Sequence, residues 1–177
     1  PGVGSYVGGD ITAGLLCTTM VTDSEEICFF IDIGTNGELV IGNSDYQVKP
    51  LANPVNDASD ITVKLQQQGF EVEKLIDANV REMKEAIARF GQKLEQQGAV
   101  GLFYYAGHGV QVNNRNYLIP LNANIQSEAD IEFEAIDTGR VLGQMKQAGN
   151  DLNLVILDAC RDNPYANQFR STPTRGL

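Results

Sequence analysis

Apolar and polar residues follow two alternating periods along most of this chain. Residues 70–75, Phe-Glu-Val-Glu-Lys-Leu, alternate singly and predict a short strand. Val80, Met83, Ile87, Phe90 and Leu94 then recur at steps of three and four, the spacing of one apolar helix face. Asn79 stands before that face with Glu82 three residues on, a capping-box spacing, and Gly98 closes it. Residues 100–106, Val-Gly-Leu-Phe-Tyr-Tyr-Ala, form a continuous apolar run of strand length, as suits a parallel strand buried on both faces. A second helix is predicted over residues 137–148 with Val141, Leu142 and Met145 inward, followed by another buried strand at residues 152–157. An earlier strand at residues 39–42 and a helix over residues 58–68 complete the series. Repeated strand–helix units imply an α/β fold, a mostly parallel sheet with helices on its faces.

The first 37 residues break this rhythm. Residues 5–16 are rich in glycine and small side chains, and residues 27–42 read as a hairpin turning at Thr35-Asn36-Gly37, because Asn-Gly supplies the positive φ angles of a tight turn. The expected organisation is an appendage of different origin over residues 1–37 and a main domain over residues 38–177.

Composition narrows the function classes. The net charge is −10 with no basic stripe, which argues against a nucleic-acid partner. No stretch is long and apolar enough to span a membrane. Three cysteines, Cys17, Cys28 and Cys160, do not form a disulfide framework, so a reducing compartment, and hence a cytoplasmic location, is expected. The chain starts at Pro1 rather than Met, which reads as a fragment.

Candidate chemistry converges on two positions. The chain has one histidine, His108, so any imidazole base must be this residue. It follows the predicted strand at residues 100–106, between Gly107 and Gly109, whose lack of Cβ lets the backbone turn and a ligand approach. Cys160 follows the predicted strand at residues 152–157 in the same way. Ligands of open parallel sheets bind beyond the carboxyl ends of strands, so two neighbouring strands would present both side chains at one edge. Taken singly, each has a plain structural reading, since a lone cysteine is usually a small buried hydrophobe. The pair points to nucleophilic catalysis, in which a base must lie within reach of a thiol.

Two motifs, Tyr105-Ala106-Gly107-His108-Gly109 and Asp158-Ala159-Cys160-Arg161, resemble the His and Cys motifs of the caspase-like cysteine peptidases, most of all the bacterial homologues related to metacaspases. Residues 40–46, 51–58 and 116–121 resemble further segments of that family, in order. The resemblance implies a three-layer caspase-like fold and an endopeptidase in which Cys160 attacks the scissile carbonyl and His108 handles the proton. Backbone amides of Gly109 and Cys160 would stabilise the oxyanion. It implies no metal and no cofactor in the chemistry. In metacaspases, the acidic residues matching Asp57 and Asp158 line the primary pocket, which implies a protein or peptide substrate with Arg or Lys before the cut. The plain structural reading of Asp57 is a cap on the following helix, a role that could coexist with the pocket, and that of Asp158 is a turn-former after its strand.

The family continues beyond the matching point with a small-subunit region. This chain stops at Leu177, so it is expected to lack those strands and part of the substrate groove. Arg170 and Arg175 fall in what resembles the intersubunit linker, where the implied basic specificity would place self-cleavage. Residues 5–16 and 29–43 resemble pieces of the actin-like ATPase domain of corrinoid-activating ferredoxin proteins, whose phosphate-binding hairpin would include Asp32, Thr35 and Asn36. Two alternatives to the peptidase thus stand: a non-catalytic caspase-fold scaffold and a nucleotide-binding fragment.

Overall fold

The computed structural model describes residues 36–97, 100–149, 152–160 and 164–165. The chain divides into two units, Pro1–Gly34 and Thr35–Leu177, and every described residue belongs to the second. In chain order its elements are β1 (Asn36–Gly42), α1 (Pro54–Gln67), β2 (Val72–Ile76), α2 (Val80–Gln97), β3 (Val100–Val112), β4 (Arg115–Leu118), α3 (Ile131–Glu134), β5 (Ile136–Asp137), α4 (Thr138–Ala148) and β6 (Asn153–Cys160).

The apolar run Leu39-Val40-Ile41 makes β1 the buried centre of the sheet. A strand covered on both faces needs apolar residues at successive positions. β1 pairs in parallel with β2 on one side and β3 on the other, and β3 pairs in parallel with β6. Past His108 the far half of β3 turns to an antiparallel partner, β4, which in turn pairs with β5. The sheet is therefore mixed, with its parallel part carrying the layers.

α1 covers one face through Ala58, against Val40, Leu102, Tyr104 and Ala106. α2 and α4 cover the other through Met83, Ile87, Phe90, Leu94, Val141 and Met145, against Leu39, Ile41, Phe103 and Tyr105. The predicted α2 face is thus the observed one, and full burial of each such side chain is worth about 1.5–3 kcal/mol. The capping box also forms. The Asn79 side chain accepts from the amides of Arg81 (3.0 Å) and Glu82 (3.1 Å), while the Glu82 carboxylate accepts from the Asn79 amide at 2.9 Å.

The structure corrects several expectations. Asn36 and Gly37 do not form a turn; they lie in β1 opposite Val100 and Gly101. From Glu38 onward both edges of β1 are occupied, so it has no place for a hairpin partner in the sheet. Asp32 and Thr35 lie outside the described residues, as do Arg170 and Arg175. The helix expected over residues 58–68 starts four residues earlier, at Pro54, whose missing N–H suits the first turn. Asp57 therefore sits inside that first turn and is not its cap. Leu142 is half exposed rather than inward, because α4 turns only Val141 and Met145 to the sheet. β6 is an edge strand among the described residues, and Ile156 and Leu157 are about 40% exposed instead of buried on both faces.

One buried group works against the core. Glu38 is 1% exposed, and neither carboxylate oxygen has a hydrogen-bond partner among the described residues. Burial raises its pKa from 4.5 to about 7, with the Lys93 ammonium opposing the shift and the Glu71 carboxylate adding to it. The folded chain then holds this proton to higher pH than the unfolded chain does. Its contribution should make stability fall as pH rises from 4.5 to about 7, and remain lower above that. Glu38→Gln is expected to flatten this decline in denaturant titrations across the window; an unaltered slope would show that the proton resides elsewhere.

Candidate active site

The sheet's carboxyl edge is built on small residues. Gly42, Ala106 and Asp158 stand in one row across β1, β3 and β6, and His108 stands opposite Cys160 two residues further along. Gly42 is required by close approach: a Cβ there would come within 2.4 Å of the Pro54 carbonyl oxygen and 2.6 Å of the Ala58 Cβ. The first turn of α1 is thereby pressed onto the row. Ser44 fixes it from the loop after β1, its hydroxyl accepting from the Val55 amide at 3.1 Å. That loop is itself tied down. Asp77 accepts from the Ser44 amide at 2.7 Å and the Asp45 amide at 3.1 Å, and the buried Asn43 side chain accepts from the Ala78 amide at 2.9 Å.

His108 lies inside β3, not in a loop after it, and is 5% exposed. At this point β3 changes from parallel to antiparallel pairing, and two tyrosine hydroxyls help satisfy its main chain. The His108 amide donates to the Tyr46 hydroxyl oxygen at 3.1 Å. The His108 carbonyl accepts from the Tyr105 hydroxyl at 2.8 Å and the Ile119 amide at 2.9 Å. Tyr46 donates in turn to the Ile119 carbonyl at 2.9 Å, and the two hydroxyl oxygens lie 3.1 Å apart. Gly107 has no alternative here, since a Cβ would meet each hydroxyl oxygen at 2.6 Å. Burial raises the Tyr46 pKa to about 12, with the Tyr105 hydrogen bond opposing the shift. Burial likewise pushes the Tyr105 phenol well above its ordinary value, so both remain protonated donors.

The imidazole is oriented as firmly as its backbone. Its ring packs on Tyr46 with centroids 4.5 Å apart at 52°. Nε2 lies 2.6 Å from the Lys49 carbonyl oxygen. A carbonyl only accepts, so Nε2 carries the hydrogen and the neutral ring keeps its lone pair on Nδ1. Nδ1 is buried, and among the described residues nothing hydrogen-bonds it. A ring held in this way can take a proton at Nδ1 from a group beside it.

Cys160 ends β6 directly across from His108. Asp158 lies within the same strand, exposed at its carboxyl end, so the alternative reading of it as a turn-former after the strand does not hold. Asp57 sits in the first turn of α1, the helix pressed onto the row that holds Asp158. Burial raises the Tyr104 phenol to about 12, with the Asp158 and Asp57 charges adding to the shift. Sequence reasoning missed Tyr46, Tyr104, Tyr105 and the Lys49 carbonyl. A main-chain acceptor leaves no residue signature, and tyrosines inside apolar runs read as core.

The comparisons with known proteins bear on the family and the fold. Residues 39–175 match the family model described as the caspase domain. The human mucosa-associated lymphoid tissue lymphoma translocation protein 1 is 32% identical over 124 residues, covering 70% of this chain. Its mouse homologue gives the same identity and the same share of this chain. The chain spans 15% of the human protein and 14% of the mouse protein. Both are mammalian, which leaves the bacterial, metacaspase-type affinity an expectation. The crystal structure of the Drosophila initiator caspase Dronc superposes with a TM-score of 0.51 at 8% identity, over 71% of this chain and 52% of that one. It is a likeness of fold.

The hydroxyl of Tyr46 has a measurable weight. Tyr46→Phe keeps the ring against His108 but leaves the buried His108 amide without its acceptor, which should cost about 1–3 kcal/mol in chemical denaturation. A loss below about 0.5 kcal/mol, the range of ordinary surface changes, would mean that the hydroxyl does not hold the strand there.

Proposed function

Since the chain belongs to the caspase-domain family of peptidases, we propose that it carries the catalytic pair of a cysteine endopeptidase, with Cys160 as nucleophile and His108 as base. The observation that carries this reading is the parallel register of β3 and β6, His108 opposite Cys160, joined to the commitment of Nε2 to the Lys49 carbonyl. Residues opposite one another on neighbouring strands share a face of the sheet. The thiol passes its proton to His108 Nδ1, and the thiolate sulfur attacks the scissile carbonyl carbon. The tetrahedral oxyanion accepts hydrogen bonds from the amides of Gly109 and Cys160. The carbon–nitrogen bond breaks as His108 returns the proton to the leaving amine. Water, deprotonated by His108, then attacks the thioester and releases the carboxylate product with free Cys160.

Asp57 and Asp158 give the primary pocket two negative charges and thus a preference for Arg or Lys before the cut. The close seating of the first turn of α1, which carries Asp57, on the row that holds Asp158 supports this. The outer edge of β6, with Ile156 and Leu157 exposed, is where a further strand of the small-subunit region would complete the groove.

The test is hydrolysis of matched fluorogenic peptides with Arg, Lys or Asp before the cut, by the natural full-length protein. Arg and Lys peptides should turn over and Asp peptides should not. Cys160→Ala should lower kcat by at least about 10³-fold, and His108→Ala by on the order of 10²–10⁴-fold. Turnover that survives Cys160→Ala, or none from the unaltered protein, would reject the peptidase in favour of a caspase-fold scaffold.

A further inference from the structure

Lys49 lends His108 its carbonyl from a backbone conformation that its residue type disfavours. Its φ is +53°, in the left-handed region. The other described residues with a Cβ and a positive φ are Asp77, Asn113, Asn114 and Asn122. Asp and Asn enter that region because a short polar side chain can hydrogen-bond locally. Lysine has no such means, and its side chain is exposed, so packing of that side chain does not select the conformation. Pro50 follows. A proline disfavours the right-handed helical region for the residue before it, which leaves the extended region as the relaxed alternative for Lys49.

What holds Lys49 in place is the loop. The Leu51 amide donates to the Ser44 carbonyl at 3.0 Å and closes the excursion of residues 45–50. Val48 and Leu51, before and after the Lys49-Pro50 pair, pack against the cluster that contains Tyr46. The Lys49 carbonyl oxygen then lies 2.6 Å from His108 Nε2. Passing from the left-handed to the extended region turns ψ by roughly 100°, and swings the carbonyl away from the ring. Any residue supplies a carbonyl, but a residue that resists positive φ cannot hold it there. A disfavoured conformation kept beside a reactive group points to a role.

We propose that Lys49 is a positioning residue for His108: its left-handed backbone, and not its ammonium, keeps the imidazole in the Nε2–H tautomer with the lone pair on Nδ1. The branched side chains of Val and Thr oppose positive φ most strongly, Asn tolerates it and Gly accepts it freely. Residue type at position 49 thereby sets how firmly the ring is held. That the ring serves as the base of a peptidase rests on the assignment of His108 and Cys160 as the catalytic pair; its tautomer does not.

The test is a series of substitutions at this position, read in two ways. Long-range proton–nitrogen NMR of the ¹⁵N-labelled chain, whose one histidine needs no assignment, gives the tautomer without any turnover. Lys49→Gly and Lys49→Asn should retain the Nε2–H tautomer. Lys49→Gln removes the charge and keeps an unbranched stem, so its tautomer should match that of the unaltered chain. Lys49→Val and Lys49→Thr should move both ring nitrogens toward the averaged shifts of a freely exchanging ring. Hydrolysis of Arg peptides by the natural full-length protein should follow the same order, with kcat of Lys49→Val about ten- to hundredfold below that of Lys49→Asn and KM different by less than about twofold. A tautomer unmoved by Val and Thr would overturn the inference. A change in Lys49→Gln equal to that in Lys49→Val would give the role to the ammonium and overturn it. A change in every variant, Gly and Asn included, would make position 49 a packing position and overturn it as well. A tautomer lost with kcat unmoved would overturn the positioning role in catalysis. The expected tautomer series with no hydrolysis by the unaltered protein would uphold the inference and overturn the peptidase reading.

Discussion

The change of partner in β3 at Gly107-His108 is the constraint on which the rest of the carboxyl edge depends. Up to this point β3 is a parallel strand between β1 and β6; beyond it, the strand pairs in the antiparallel sense with β4. A buried strand cannot change partners without leaving main-chain groups to be satisfied by something else. Here the Tyr46 hydroxyl takes the His108 amide, and the Tyr105 hydroxyl shares the His108 carbonyl with Ile119. The phenols occupy the space where a Gly107 side chain would be. One backbone discontinuity thus accounts for the glycine, for both tyrosines and for the fixed position of the only histidine.

From that point the geometry spreads outward. Tyr46 belongs to the loop after β1, which also supplies the Lys49 carbonyl to Nε2 and the Ser44 hydroxyl to the start of α1. The loop therefore sets the imidazole's tautomer and the seating of the helix that carries Asp57. Its anchors are Asn43 and Asp77, which hold it to the segments after β1 and β2. The positions of His108 and Asp57 are coupled through this loop. The acids at this edge remain near solvent, whereas Glu38, towards the other end of β1, is buried with no hydrogen-bond partner among the described residues. The same charge is costly at one end of the strand and usable at the other.

Much of this was legible in the sequence, for identifiable reasons. The α2 face and its cap were read correctly because periodicity and capping are local, and tertiary packing did not oppose them. His108 and Cys160 stand out by their place after apolar runs, and the structure sets them opposite one another in register; the likeness to the caspase domain followed from the motifs around them. The strand ends were not legible. β3 and β6 run on through His108 and Cys160, because glycine, aspartate and polar residues near a sheet edge carry no strand signal. Asn36-Gly37 reads as a turn by local propensity, but pairing with Val100 and Gly101 overrides it. Leu142, Ile156 and Leu157 read as core, although no described element covers them. The Lys49 carbonyl could not be read at all, since any residue supplies one.

The central claim is that the frame around His108 fixes its neutral tautomer, hydrogen on Nε2 and lone pair on Nδ1, ready for the group opposite it on β6. Because the chain has one histidine, long-range proton–nitrogen NMR of the uniformly ¹⁵N-labelled protein reports this residue without assignment. Above the imidazole's titration, the account predicts the Nε2–H tautomer, with Nδ1 in the chemical-shift range of an unprotonated nitrogen. A predominant Nδ1–H tautomer, or the averaged signals of a freely exchanging ring, would contradict it.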